Sequence, residues 1–151
     1  ASVFQTIAND GGRVQPRLVD SVTAADGTVT TTPKSPSTRV VSHQTAADVS
    51  RMLEGVVSDE GTAEEAQIPG YRVAGKTGTA DYYDARVGGY SGRTASFIGY
   101  APADDPQIVV AVIIQKPTYP FFGGYVAGPG FCGFDGGEND RDGRDAEAAA
   151  G

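Results

Sequence analysis

The chain has 151 residues, 39% of them hydrophobic, with 21 glycines, no tryptophan and a formal net charge of −7. That length sets the expectation of one compact domain. No Lys/Arg cluster marks a nucleic-acid footprint, no stretch is long and apolar enough to span a bilayer, and the lone Cys132 excludes an internal disulfide while leaving the redox compartment open.

The first segment, Ala1–Ala8, sets Val3, Phe4, Ile7 and Ala8 at helical spacing, and Asn9-Asp10-Gly11-Gly12 stops it. It reads as the end of a helix whose beginning is missing, and no signal peptide precedes it, so the chain is expected to be a piece of a longer polypeptide. Val14, Leu18, Val19 and Val22 are strand-like, and Asp26-Gly27 is a hairpin turn signal. Pro33 and Pro36 end that region. Ser42 is suited to cap a helix over about His43–Val57, with Ala46, Val49, Met52, Leu53, Val56 and Val57 as its buried stripe. A polar connector, "SDEGTAEEAQIPG", follows.

Three strands are expected next: Tyr71–Ala80, Arg93–Tyr100 and Ile108–Gln115. "APADDPQ" is short enough to make the last two antiparallel neighbours. The longer link "DYYDARVGGYSG" carries Tyr82, Tyr83 and Tyr90, which either line a cleft rim or pack their own loop. The run "IVVAVII" is apolar throughout, which implies cover on both faces. From Gly128 onward the composition becomes Gly- and acid-rich. Asp135–Glu147 alone contributes a net −4, and residues 128–151 read as a disordered acidic tail after a folded unit over 1–127.

The stretch "PGYRVAGKTGTADYY" carries two overlapping motifs. From Gly70 it spells the phosphate-binding G-x-x-x-x-G-K-T, and from Lys76 it spells K-T-G-T. A phosphate loop needs a buried strand before its first glycine and a helix starting at the lysine. "AEEAQIP" is no buried strand, "GTADYYD" is a poor helix start, and no later apolar strand ends in a magnesium-binding aspartate. The strand reading fits better. Gly78 lets another backbone approach closely, Thr77 and Thr79 supply hydroxyls, and Lys76 supplies a fixed positive charge. If the strand is an edge, its free N–H and C=O groups pair with an extended peptide, and a main-chain N–H near Thr79 is placed to donate to an oxyanion.

Other candidates read as structural. Glu138–Gly143 hints at a calcium loop, but Ala149 stands where the closing glutamate belongs. His43 reads as a surface residue beside the helix cap, Cys132 as a thiol of the tail, Thr94 and Ser96 as solvent-facing strand positions, and Asp104-Asp105 as a turn.

"PGYRVAGKTGTA", "TASFIGYAPADDPQIVVAVIIQKP" and "GGYVAGP", with "IANDGGRVQPRLV" and "VVSHQTAADVSRMLEGVVSDEGTAEEA" upstream, resemble the C-terminal part of the transpeptidase domain of class B penicillin-binding proteins, the septal cell-division type above all. The resemblance runs from about Ala1 to Pro129. It implies an α+β class: part of the serine β-lactamase/D,D-transpeptidase-like fold, here an antiparallel three-strand meander with flanking helices. It further implies acyl transfer on D-Ala-D-Ala stem peptides of peptidoglycan, with β-lactams acylating the same serine and no cofactor. On that pattern Lys76 serves the electrostatic and proton network, Thr77 and Thr79 bind the ligand carboxylate, the Thr79 N–H forms half of the oxyanion hole, and Gly78 keeps the strand edge clear. The partners implied are stem peptides, β-lactams, the rest of the transpeptidase domain and division-complex proteins. The place implied is the extracytoplasmic face of the membrane, with an N-terminal anchor outside this chain and no membrane contact by the segment itself.

Two departures qualify the resemblance. No serine here has lysine three residues later, and none has asparagine two residues later, so the S-x-x-K nucleophile motif and S-x-N motif are absent and the chain by itself is expected to be inactive. A penicillin-binding-like module that binds peptide or serves as a scaffold without catalysis is the alternative. The family's two remaining sheet strands are expected upstream of Ala1. After "VAGP" the family continues into an apolar helix covering the sheet, whereas "GFCGFDGGENDRDGRDAEAAAG" has no such stripe. Loss of that cover would leave the Ile108–Ile114 strand aggregation-prone.

Overall fold

A computed structural model describes residues 1–133 of the chain. Helix α1 (Ser2–Ala8) leads into a two-residue strand β1 (Gly12–Arg13), which pairs with β4 (Thr38–Arg39). The helix stops where the motif predicts. Asp10 and Gly11 both take positive φ, 56° and 83°, and a Cβ on Gly11 would lie 2.4 Å from the Val41 carbonyl oxygen. Only glycine fits that turn. Between β1 and β4 a small hairpin, β2 (Ser21–Thr23) and β3 (Val29–Thr31), turns at Asp26-Gly27, with the Asp26 carboxylate accepting the Thr28 N–H at 2.9 Å. The turn is as expected, but the hairpin is exposed throughout and buries none of its valines.

Helix α2 (His43–Val57) has the expected bounds, and Ser42 caps it by accepting the Thr45 N–H at 3.1 Å. Its stripe is narrower than expected. Ala46 and Val57 are buried and Val49, Leu53 and Val56 half-buried, but Met52 is 71% exposed. At about 100° per residue, Met52 sits one step round the helix from Leu53, off the packed face.

The main sheet is the antiparallel meander β5 (Ala74–Asp84), β6 (Gly89–Ala101), β7 (Ile108–Gln115), in that order. Strands β5 and β6 extend well into the segment read as a long tyrosine-bearing link, leaving a four-residue turn. Tyr83 packs edge-on against Tyr90, and Lys116 stands over the Tyr82 ring. The tyrosines thus brace the hairpin end instead of lining a cleft. Tyr82 lies six residues along an extended strand from Lys76, about 20 Å away.

That end is also pinned by Asp84, which is buried and bonded by both Lys116 Nζ and Arg86. The Lys116 hydrogen bond holds the Asp84 carboxyl below the usual range. A folded-state pKa depressed in this way stabilises the fold above the unfolded value of about 3.9, and the contribution fades as pH falls through the folded value. Acid unfolding of an Asp84→Asn variant is expected to show a shallower pH dependence below about pH 4, read by circular dichroism against the unsubstituted protein. An unchanged acid limb would mean that Asp84 does not stabilise the hairpin.

Strand β7 corrects the expectation of cover on both faces. Val110, Val112 and Ile114 pack on the core, but Ile113 is 60% exposed and Ala111 is exposed beside it. One face is covered along the sheet; on the other, cover among the described residues is confined to the end where Tyr100 is buried and bonds Ser50 of α2.

The cover of the first face is helix α3 (Gly123–Cys132), which runs through "VAGP" and takes in Phe131 of the stretch expected to lack a covering stripe; from 134 onward that stretch lies outside the described residues. Phe131 is 2% exposed and meets Phe97 edge-on, ring centroids 4.9 Å apart, in a core shared with Val57, Ala63, Ala66, Val73, Ala101 and Ala127. The covering face is built from Gly123, Gly124, Ala127, Gly128 and Phe131, all buried. Small residues let the helix lie close to the sheet, and one aromatic closes the far end. The acidic stretch and its calcium-loop hint lie outside the described residues.

Candidate functional site

Lys76, Thr77, Gly78 and Thr79 all lie on β5, and β5 pairs only with β6 among the described residues. The lysine is therefore on an extended edge and not at a helix start, which removes the phosphate-loop reading. A Cβ on Gly75 would fall 2.2 Å from the Phe97 ring, so Gly75, Thr77 and Thr79 share the face covered by α3. Lys76, Gly78 and Ala80 share the opposite face.

The backbone direction follows from a second close approach. A Cβ on Gly123 would lie 2.3 Å from Ser96 O, 2.7 Å from Gly78 O and 3.1 Å from Gly78 N. Helix α3 thus begins directly over the Gly78–Ser96 pair, whose polar backbone groups lie together, so Gly78 turns its N–H and C=O towards β6. Alternate residues turn theirs the other way. Thr77 and Thr79 therefore present backbone N–H and C=O to the free edge, and Lys76 Nζ reaches Thr77 O at 3.1 Å. The expected role of Gly78 in allowing a close backbone has a structural counterpart in Gly123. On its other face Ser96 Oγ already occupies the space, 2.6 Å from where a Cβ would stand. Ser96 is half-buried against this glycine and not simply solvent-facing.

The side chains converge at the same edge. Lys76 Nζ lies 3.1 Å from Thr77 Oγ1, Thr77 Oγ1 lies 3.3 Å from Thr62 Oγ1, and the Gly123 N–H donates to Thr79 Oγ1 at 3.4 Å. A groove of about 410 Å³ opens on the two threonines and is walled by Thr62, Phe122, Gly124 and Tyr125, with Glu64 and Glu65 at its margin. A cation, two hydroxyls and two outward backbone N–H groups are the donors an anionic, extended ligand needs. Thr62 and Phe122 are functional candidates that sequence reasoning does not find. The first sits in a connector that reads only as polar, and the second has no helix signal to place it.

His43 proves to have a carboxylate partner that the sequence could not place. Its Nδ1 bonds Asp10, and Arg39 lies 3.6 Å from the same carboxylate, which holds Asp10 below the usual range chiefly through the His43 bond. This pair borders a separate groove of about 330 Å³ between α1 and α2, where Tyr100 donates to Ser50 Oγ at 2.8 Å. Burial raises the Tyr100 pKa. That groove shares no residue with the Lys76 edge. Among the described residues no group of three or more His, Cys, Asp or Glu is placed to hold a metal ion, and no helix is long and apolar enough to cross a membrane.

Residues 1–132 match the family model described as the penicillin binding protein transpeptidase domain. The chain is 40% identical over 125 residues to penicillin-binding protein PbpB of Mycolicibacterium smegmatis, covering 78% of this chain and 19% of that protein. It is 46% identical over 94 residues to stage V sporulation protein D of Bacillus subtilis, covering 60% and 14%. Among solved structures, penicillin-binding protein 3 of Mycobacterium tuberculosis in complex with aztreonam superposes with a TM-score of 0.78 at 39% identity, over 89% of this chain and 32% of that one. The chain thus spans about a fifth of the first of these curated relatives and a third of the solved chain.

Proposed function

The chain belongs to the penicillin-binding protein transpeptidase domain family, and from that premise we propose that it is the ligand-binding C-terminal part of a D,D-transpeptidase that cross-links peptidoglycan. The supporting observation is the β5 edge, where Thr77 and Thr79 line one groove, their backbone N–H groups turn to the free edge, and Lys76 Nζ bonds Thr77 O and Oγ1. A stem peptide ending in D-Ala-D-Ala lies antiparallel along β5 with its terminal carboxylate at Thr77 and Thr79. A serine from outside residues 1–151 attacks the penultimate carbonyl, and the C–N bond to the terminal D-Ala breaks as the acyl-enzyme forms. An amine of a second stem peptide then displaces the serine oxygen and completes the cross-link. The Thr79 N–H stabilises the oxyanion with the serine's own N–H. Lys76 stabilises the negative charge and helps carry the proton. β-Lactams bind by the same contacts and acylate the same serine. The reading places the domain outside the cytoplasmic membrane, in a polypeptide anchored upstream of Ala1 and working with other division proteins.

The absence of S-x-x-K and S-x-N from these 151 residues favours one alternative, a peptide-binding module without catalysis. Labelling with a fluorescent penicillin separates the two. The longest natural polypeptide containing this chain is expected to form a covalent adduct on a serine outside residues 1–151, with the chain alone unlabelled. No adduct on the long form, with retained binding of D-Ala-D-Ala peptides, would establish the module. An adduct within residues 1–151 would overturn the account of the nucleophile.

A further inference from the structure

Thr62 lies in the turn after α2, and that turn is locked from three sides. Gly61 N bonds Ser58 O at 2.8 Å, Ala63 N bonds Val56 O at 3.0 Å, and Ala66 N bonds Ala63 O at 3.0 Å. Ala63 and Ala66 are fully buried. A Cβ on Gly61 would meet Val56 O at 2.1 Å, and one on Gly124 would meet Thr62 O at 2.2 Å. The end of α2 and the start of α3 therefore clamp the Thr62 backbone between them, and its exposed side chain projects from that fixed point to within 3.3 Å of Thr77 Oγ1.

Thr77 Oγ1 has two polar neighbours among the described residues, Lys76 Nζ at 3.1 Å and Thr62 Oγ1 at 3.3 Å. A hydroxyl carries one proton and two lone pairs, and an ammonium only donates. Lys76 therefore takes one lone pair of Thr77. If Thr62 donates its proton to the other, the Thr77 O–H is left with one direction, outward into the groove. A hydroxyl that accepts twice is also polarised into a stronger donor.

We propose that Thr62 is a positioning residue that aims and polarises the Thr77 O–H towards the carboxylate of the bound ligand. This rests on the transpeptidase reading above, in which Thr77 meets that carboxylate. Thr62 itself touches no reacting atom. It acts on how well the site distinguishes a ligand bearing a carboxylate from one that does not, because only the charged ligand rewards a fixed donor.

The test uses the longest natural polypeptide containing the chain and compares acylation rates by benzylpenicillin and by its methyl ester. The readout is the ratio of the two rate constants. Thr62→Val keeps the side-chain shape and removes the hydroxyl. It is expected to lower the benzylpenicillin rate about tenfold, as loss of one bond in a charge-assisted set would, with little change for the ester, so the ratio falls about tenfold. Thr62→Ser restores the ratio, and the melting temperature verifies folding of each variant. An equal fall in both rates, or a ratio unmoved in Thr62→Val, overturns the role of Thr62. In that case a Thr77→Val variant whose ratio does collapse leaves the transpeptidase reading standing. If the unsubstituted protein is acylated by neither compound, the transpeptidase reading fails and the inference fails with it.

Discussion

Replacing Lys76 with alanine in the natural polypeptide is expected to lower the second-order rate of acylation by penicillin by about 10²–10³-fold, the scale set by removing one preorganised stabilising group from an acyl-transfer site. The ammonium has a fixed place. It sits on an exposed edge, tied to Thr77 O and Thr77 Oγ1 at 3.1 Å each, and these are its only polar partners among the described residues. Among the described residues its ammonium forms no ion pair, although Glu64 and Glu65 line the groove that opens on Thr77. The Thr77 backbone and hydroxyl need Lys76 less for their own structure, because the β5–β6 ladder and Thr62 hold them. Alanine at this exposed position should therefore leave the melting temperature nearly unchanged while the rate collapses. Lys76→Arg is not expected to rescue the rate. A planar guanidinium cannot reproduce a compact ammonium that bonds a carbonyl and a hydroxyl of the same residue. Acylation by Lys76→Ala within threefold of the unsubstituted rate would remove the lysine from the chemistry.

Much of this site is legible in the amino-acid sequence, and what is not has identifiable causes. Lys76 on a strand can be argued from "YRVAGKTGTA", because β-branched and small residues outnumber helix formers there and no helix signal follows. Ser42 and the bounds of α2 follow from a cap residue and a 3.6-residue period. The ends of β5 and β6 are hidden because Tyr82, Tyr83 and Tyr90 stand among Asp and Gly and read as loop, whereas tyrosine is itself a good strand former once it has a cross-strand partner. Helix α3 is hidden for a deeper reason. A ten-residue segment with four glycines and Pro129 has almost no intrinsic helix propensity, and its helicity comes from packing. A signal is present nonetheless: Gly123, Gly124, Ala127, Gly128 and Phe131 recur at i, i+1, i+4, i+5 and i+8, which is one helical face made of residues small enough to touch a sheet. Thr62 has no pattern to reveal it, because its partner Thr77 is fifteen residues away and meets it only after α2 and α3 have closed on the connector.

The contest between propensity and packing at α3 yields the other large expected effect. Gly123→Ala ought to stabilise an isolated helix by about 1 kcal/mol. In the folded protein it is expected to destabilise by about 3 kcal/mol, the upper end of what overpacking costs. The added Cβ would come 2.3 Å from Ser96 O and 2.7 Å from Gly78 O. Both are backbone atoms of paired strands, so neither can rotate out of the way as a side chain would. Relief requires lifting the start of α3, which pulls the Gly123 N–H off Thr79 Oγ1 and loosens the Phe97–Phe131 contact at the other end. The damage therefore reaches the site as well as the core, and penicillin acylation should fall with stability. Gly55→Ala is the control, since Gly55 lies inside α2 with nothing within 4 Å of the new carbon. There propensity acts alone, and a gain of about 0.5–1 kcal/mol is expected. Opposite signs for the two substitutions in denaturant unfolding are the predicted result. A stabilising Gly123→Ala would mean that α3 does not rest on the Gly78–Ser96 pair, and the backbone direction inferred for Thr77 and Thr79 would lose its support.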